Sequence, residues 1–182
     1  MRPAAIPASL LTPPLVLSAP PAGAQTGPTC PSGVPEDCLL PWPASRYLVP
    51  DPTTPTGHRL ALPVSAMPKN LLGSPVDPGP WNRWDGFSPG TSGMVQLPVA
   101  VDPHQFNTYR QIPRSLLYRS RTTLWDLTTG RRVAHWAEVE AAPDADPTKT
   151  TLYIRPAARL SEAHHYAILV RPLRTRSGEV YW

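Results

Sequence analysis

The sequence predicts a mainly β protein, with a small antiparallel β-sandwich in its second half preceded by a proline-rich irregular arm. Three observations predict it. Proline makes up 27 of 182 residues, against a usual share of about 5%, and 20 of these fall in residues 1–90 but 7 in residues 91–182. Each proline lacks an N–H and fixes φ, so the first half cannot sustain helices or central strands. After Gly93 short runs of β-forming residues recur at intervals that suit an all-β domain, with no convincing amphipathic helix between them. Hydrophobic content of 41% and six tryptophans then argue against a wholly disordered chain, because such chains are poor in aromatic residues.

Six strands are expected in turn. Residues 94–101 form the first. Residues 122–127 and 132–139 flank Thr128-Thr129-Gly130, where glycine supplies the left-handed conformation of a short hairpin loop. Residues 150–155 and 165–171 follow, and residues 179–182 come after the turn Arg176-Ser177-Gly178. In the fifth run Tyr166, Ile168 and Val170 share one face at period two, as a half-buried strand requires. Short strands without helices point to a small sandwich. From Leu39 to Gly90, turn signals such as Asp51-Pro52, Thr56-Gly57 and Asp85-Gly86 alternate with aromatic anchors, including Trp42, Tyr47, Trp81, Trp84 and Phe87. This stretch reads as an ordered wrap across a neighbouring surface. The expected organisation is therefore residues 1–24, 25–92 and 93–182.

Residues 1–24 open with Arg2, continue through Leu10, Leu11, Leu15, Val16 and Leu17, and finish at Ala22-Gly23-Ala24, the pattern of a cleaved secretory signal. Cys30 and Cys38 follow, and an even cysteine count in an exported chain favours a disulfide. The alternative is two unpaired thiols or a weak metal pair, with no second Cys or His pair at zinc-site spacing to complete four ligands. A secreted or periplasmic location is expected. No run of about 20 apolar residues spans a membrane.

The formal net charge of +4 is carried by arginine far more than lysine. Arg110, Arg114, Arg119, Arg121, Arg131 and Arg132 cluster within residues 110–132, but no nucleic-acid motif accompanies them, and they read as solvated. Gly86-Phe87-Ser88-Pro89-Gly90 matches the G-x-S-x-G nucleophile elbow. The residue after that serine must give its N–H to the oxyanion hole, and Pro89 has none, so the segment reads as a turn and no catalytic residue is expected. His58, His104, His135, His164 and His165 are too scattered for a metal motif and read as surface or edge residues. Asp144 and Asp146 lack the further ligands of a calcium loop. No cofactor or metal is implied. Trp81, Trp84 and Phe87 lie on one irregular segment and are the candidate binding residues; the alternative is that they plug the sandwich from outside.

Cys38-Leu39-Leu40-Pro41-Trp42-Pro43, residues 51–57, Trp81-Asn82-Arg83-Trp84-Asp85-Gly86-Phe87-Ser88-Pro89-Gly90 and Ile154-Arg155-Pro156 resemble the opening of large secreted bacterial proteins related to the N-terminal domain of bacterial surface (virulence-factor) lipases. The resemblance covers roughly residues 35–178. Residues 124–180 also resemble bacterial Ig-like domains. In those lipases the catalytic residues lie far downstream, in an α/β-hydrolase domain, so none has a position here onto which it carries. The resemblance implies a non-catalytic accessory module, whole or truncated, that packs against a downstream or partner hydrolase domain. An independent adhesion module using Trp81 and Trp84 is the other expectation.

Overall fold

Antiparallel pairing organises residues 39–141 and 150–181, which the computed structural model describes. The expected signal segment, Cys30, Cys38, Asp144 and Asp146 lie outside the described residues. The protein is mainly β, with several antiparallel sheets. No helix among the described residues is long and apolar enough to cross a membrane.

Residues 39–92 contain regular structure that their proline content hides. Strands β1 (Leu48–Pro50) and β2 (His58–Leu60) pair as a hairpin. Proline is tolerated there because Pro50 sits at the end of a strand in a two-stranded ribbon, where few ladder donors are needed. The loop between them is closed by Asp51, whose carboxylate accepts the Thr53 N–H at 2.9 Å and the Arg59 Nε–H at 2.6 Å. Gly57 takes φ +72°, which a side chain would strain. Tyr47, Leu60, Leu62 and Met67 form a buried cluster under this hairpin, with Trp42 and Phe87 packed against it. Burying these side chains stabilises the segment by roughly 1.5–3 kcal/mol each, so this stretch holds a small core of its own.

Strand β3 (Gly93–Leu97) ends at Pro98, shorter than the expected run because proline cannot continue the ladder. Strands β4 (Thr122–Asp126) and β5 (Arg131–Val133) form the hairpin expected around Gly130, which adopts φ +70°. The single strand expected over residues 132–139 is a correction. It breaks at Ala134 into β5 and β6 (His135–Val139), and these belong to different sheets. The remaining strands are β7 (Thr150–Pro156), β8 (Tyr166–Val170), β9 (Leu173–Arg174) and β10 (Val180–Tyr181), of which β9 pairs only with β10. One three-stranded sheet runs β3-β7-β6 and the other β5-β4-β8.

Alternation along the strands decides which residues meet between the sheets. Leu152 and Ile154 of β7 and Ala137 of β6 join Val101, Phe106 and Leu173 in the main buried cluster, and Val170 of β8 packs against it. At the sheet edges β3 meets β8 through a glycine. A Cβ on Gly93 would stand 2.1 Å from Ile168 Cδ1 and 3.6 Å from Ile154 Cβ. The chain therefore reserves a side-chain-free position where the two edges touch.

A second contact is polar. His135, at 0% exposure, opens β6 and points inward like Ala137. Its Nδ1 bonds the Val133 carbonyl at 2.9 Å, its Nε2 bonds Thr122 Oγ1 at 2.9 Å, and its backbone N–H donates to Ser115 Oγ at 3.0 Å. The expectation that the histidines are all surface or edge residues is thus corrected for His135. The strand break at Ala134 turns its ring towards β4, where a hydroxyl satisfies it.

Gly93→Ala is expected to cost about 1 kcal/mol, since Ile168 must leave its rotamer to make room. Adding Ile168→Val removes Cδ1, and the penalty of the alanine should then nearly vanish. Urea unfolding of the four proteins in this double-mutant cycle measures the coupling; an equal penalty in both backgrounds would show that the edges do not touch as described.

Candidate functional site

Residues 81–87 are laid beside β2 by hydrogen bonds to their backbone carbonyls and to the Asn82 side chain, not by Trp81 or Trp84. The Leu60 N–H donates to the Trp84 carbonyl at 2.9 Å, and Arg59 Nη1 donates to the Arg83 carbonyl at 2.8 Å. Asn82 completes the staple: its Oδ1 accepts the Leu62 N–H at 2.7 Å and its Nδ2 donates to the Leu62 carbonyl at 3.0 Å. The amide thereby substitutes for a strand neighbour. Trp81 and Trp84 are left 44% and 64% exposed.

The third aromatic separates from the other two. Phe87 packs into the arm's core, edge-on to Trp42 with ring centroids 5.0 Å apart. The structure thus presents Trp81 and Trp84 at the surface on a pinned backbone and places Phe87 beneath. A chemical role needs ligand contact, which a stapled backbone with free indole faces allows.

Ser88 stands in a turn. Its Oγ accepts the Gly90 N–H at 3.2 Å and its carbonyl accepts the Thr91 N–H at 3.0 Å. Residues 84–86 before it form bends and residues 89–90 after it a turn, so the strand and helix that a nucleophile elbow needs do not flank it. Glu138 is engaged by Arg155 across β6 and β7. No group of three or more metal-binding side chains lies together among the described residues.

Asp126 closes the β4–β5 loop. Its carboxylate accepts the N–H groups of Thr128 and Thr129 at 2.9 and 3.2 Å and pairs with His164 Nδ1 at 2.9 Å. Desolvation opposes the charge, but these hydrogen bonds outweigh it and hold the carboxyl at about 2. The loop is tied further to β8 by the Leu127 N–H on the His165 carbonyl at 2.8 Å and the His165 N–H on Thr128 Oγ1 at 3.0 Å.

Two surfaces were not legible in the sequence. On the outer face of the β5-β4-β8 sheet, Trp125 stands beside Arg132 and Ala167, and the Arg132 guanidinium carbon lies 5.8 Å from both the Trp125 and Tyr118 ring centroids. Arg171 lies over the Tyr118 ring at 4.5 Å, with its buried Nε lacking a hydrogen-bond partner. Tyr118, Trp125 and Leu169 are exposed. Neither arginine has a carboxylate partner among the described residues. Such stacks are each worth about 0.5–1 kcal/mol at exposed sites. Arg132 belongs to the arginine-rich stretch that reads as solvated; strand pairing and aromatic contact give it a specific place.

The second surface is an apolar cleft of about 440 Å³ where the edges of the two sheets meet. Tyr166, Ile168 and Val170 of β8 line one side, as their period-two spacing predicts, and Gly93, Met94 and Val95 of β3 line the other. Trp42 borders it and is paired to Met94 by two backbone hydrogen bonds of 2.8 and 2.6 Å.

The carbonyl of Val133 obliges His135 Nδ1 to carry the proton, and Nε2 then accepts from Thr122. Burial lowers the ring's pKa from its ordinary 6.5. The native state refuses a proton that the unfolded chain accepts, so stability is full above 6.5 and is lost as pH falls below it. Asp126 behaves in the same direction lower down: its contribution is full above 3.8 and is lost as pH falls towards about 2. Urea unfolding across pH should show both declines, and His135→Gln should remove the upper one; an unchanged upper decline would assign it to another group. No protein-family model, curated protein or solved structure matches this chain.

Proposed function

We propose that this chain is a non-catalytic module of a secreted bacterial protein, an Ig-like β-sandwich with a proline-rich arm laid beside it, whose role is to pack against or position a partner hydrolase domain. The observation that carries this reading is the outer face of the β5-β4-β8 sheet. It brings exposed Tyr118, Trp125 and Leu169 together with Arg132 and Arg171, and aromatic residues with arginine are the groups enriched where proteins meet. The resemblance of residues 35–178 to the opening of surface-lipase relatives supplies the identity of the partner.

The coding sequence past the codon for Trp182 offers the first check: a hydrolase region there supports the accessory role, and a closed frame with no hydrolase encoded beside it removes it. Where the partner is present, Trp125→Ala with Tyr118→Ala should weaken association by about tenfold or more, the scale of a hot-spot loss. Isothermal titration of the two domains measures this. Unchanged association would move the interface elsewhere.

The adhesion reading is favoured by one separate observation, the exposure of Trp81 and Trp84 on a backbone held by Asn82 and Arg59. Under it the tryptophans stack on carbohydrate. Trp81→Ala with Trp84→Ala should then abolish binding to a panel of soluble polysaccharides while shifting unfolding by no more than about 0.5 kcal/mol, as exposed substitutions do. Binding that survives the double substitution would exclude this pair as the ligand platform.

A further inference from the structure

We propose that the free edge of β8 accepts one extended segment of another polypeptide, which adds to the β5-β4-β8 sheet as a further strand and lays alternate apolar side chains into the cleft. The backbone of β8 sets this out. The Leu127 N–H donates to the His165 carbonyl and the Arg171 N–H to the Arg121 carbonyl, at 2.8 and 2.9 Å. The odd-numbered residues from 165 to 171 therefore turn their backbone groups towards β4. Successive residues alternate in direction, so the N–H and C=O groups of Tyr166, Ile168 and Val170 turn outward. No other described strand pairs with β8.

This edge lacks the devices that keep strands from pairing. Between Tyr166 and Val170 there is no proline and no charged residue, and Ile168 and Leu169 are 37% and 53% exposed. Edges without charge, proline or cover are templates for strand addition. The neighbouring edge, on β3, is treated differently: the chain covers it with its own Trp42, paired to Met94. The β3-β7-β6 sheet is thus continued outward at one position by the isolated bridge of Trp42 to Met94, while the β5-β4-β8 sheet stops at β8 among the described residues. The cleft, bordered by Trp42 and β8, is the place across from that continuation.

The occupant is a single strand of another protein rather than a second copy. Pairing β8 with β8 across a two-fold axis would bring the copy's own β3, which lies against β8 through Gly93 and Ile168, to the place where Trp42 stands. A lone extended segment carries no second layer. Charge adds a preference: Arg171 at one end of β8 has no carboxylate partner among the described residues, and the carboxylates near the other end, Asp126 and Glu162, are already engaged by His164 and Arg159. Apolar residues at alternate positions, closed by acidic residues, complement this edge. The site shares Arg171 and Leu169 with the outer face that carries the packing role, but it is read by the outward amides of Tyr166, Ile168 and Val170, whereas the packing role is read by Trp125 and Tyr118, so the two are tested separately.

The test uses the full chain, isotopically labelled, and a synthetic peptide of alternating valine and threonine with an aspartate at each end. Saturable binding is expected, with the amides of Tyr166, Ile168 and Val170 becoming protected from hydrogen exchange. Ile168→Pro deletes an outward N–H and no bond to β4, which an edge strand tolerates, and should weaken binding by about tenfold or more. Should that variant unfold, Ile168→Lys keeps the N–H, sets a charge in the cleft and is expected to weaken binding similarly. A peptide of the same composition with its valines in one block should bind more weakly. No binding, binding that leaves the three amides unprotected, equal binding of the block peptide, or a β8-paired dimer in the peptide-free protein would each overturn the proposal.

Discussion

The buried bonding around His135 is the constraint on which the two-sheet arrangement depends. A neutral imidazole in an apolar interior must satisfy both ring nitrogens, and leaving one unpaired costs about 1–3 kcal/mol. Val133 and Thr122 supply the partners, and Ser115 accepts the backbone N–H while giving its own hydroxyl proton to the Ile112 carbonyl at 2.7 Å. One residue therefore fixes three things: its ring sets the end of β5 and the facing of β4 against β6, and its backbone N–H seats the 3-10 segment Tyr109–Leu116. A slip of one residue in β6 would exchange His135 for Trp136 at this place and leave Thr122 without its acceptor. Apolar packing of Leu152, Ile154 and Ala137 holds the layers together, and the polar contact decides their register.

From that register follows the contact between β3 and β8. With β4 placed over β6 and β7, β8 lies over β3, and Gly93 is needed where they touch. The same offset opens the cleft, because the two sheets do not extend equally far. Trp42 continues one of them and nothing described continues the other. Trp42 also contributes its ring to the arm's core against Phe87 and Tyr47 and donates from Nε1 to Thr91 Oγ1 at 3.2 Å. A residue that reads as one aromatic anchor among several thus joins the arm's packing to the edge of the sheet.

The legible part of the fold was its local part. The hairpin around Gly130, the shared face of Tyr166, Ile168 and Val170 and the turn at Ser88 each depend on residues within a few positions of one another, and short-range chemistry sets them. What stayed hidden depends on partners far along the chain. The division of residues 131–139 between two sheets is invisible in a continuous β-forming run, because only Thr122, brought beside it by the fold, shows which way the His135 ring must face. Asn82 reads as an ordinary loop residue until Leu62 is brought beside it. The β1–β2 hairpin is masked by the prolines around it. Among the candidate aromatics, composition could not separate Trp81 and Trp84 from Phe87, since the distinction is made by Trp42.

The outer faces of the two sheets differ in a way that bears on function. On the β3-β7-β6 sheet Arg155 is matched by Glu138 and lies 5.2 Å from the Tyr153 ring. That face carries its own counter-charge, and water completes its solvation at little cost. On the β5-β4-β8 sheet Arg132 and Arg171 rest on Tyr118 and Trp125 without an acid beside them. Guanidinium groups are weakly hydrated and stack on rings, but their charge is uncompensated on this face, so a surface that closes over it must bring an acid of its own. A partner that supplies a carboxylate and an apolar area would gain both the missing charge and the exposed rings of Trp125 and Tyr118. Unequal treatment of two otherwise similar faces is what a module needs if it is to turn one towards solvent and the other towards a neighbour.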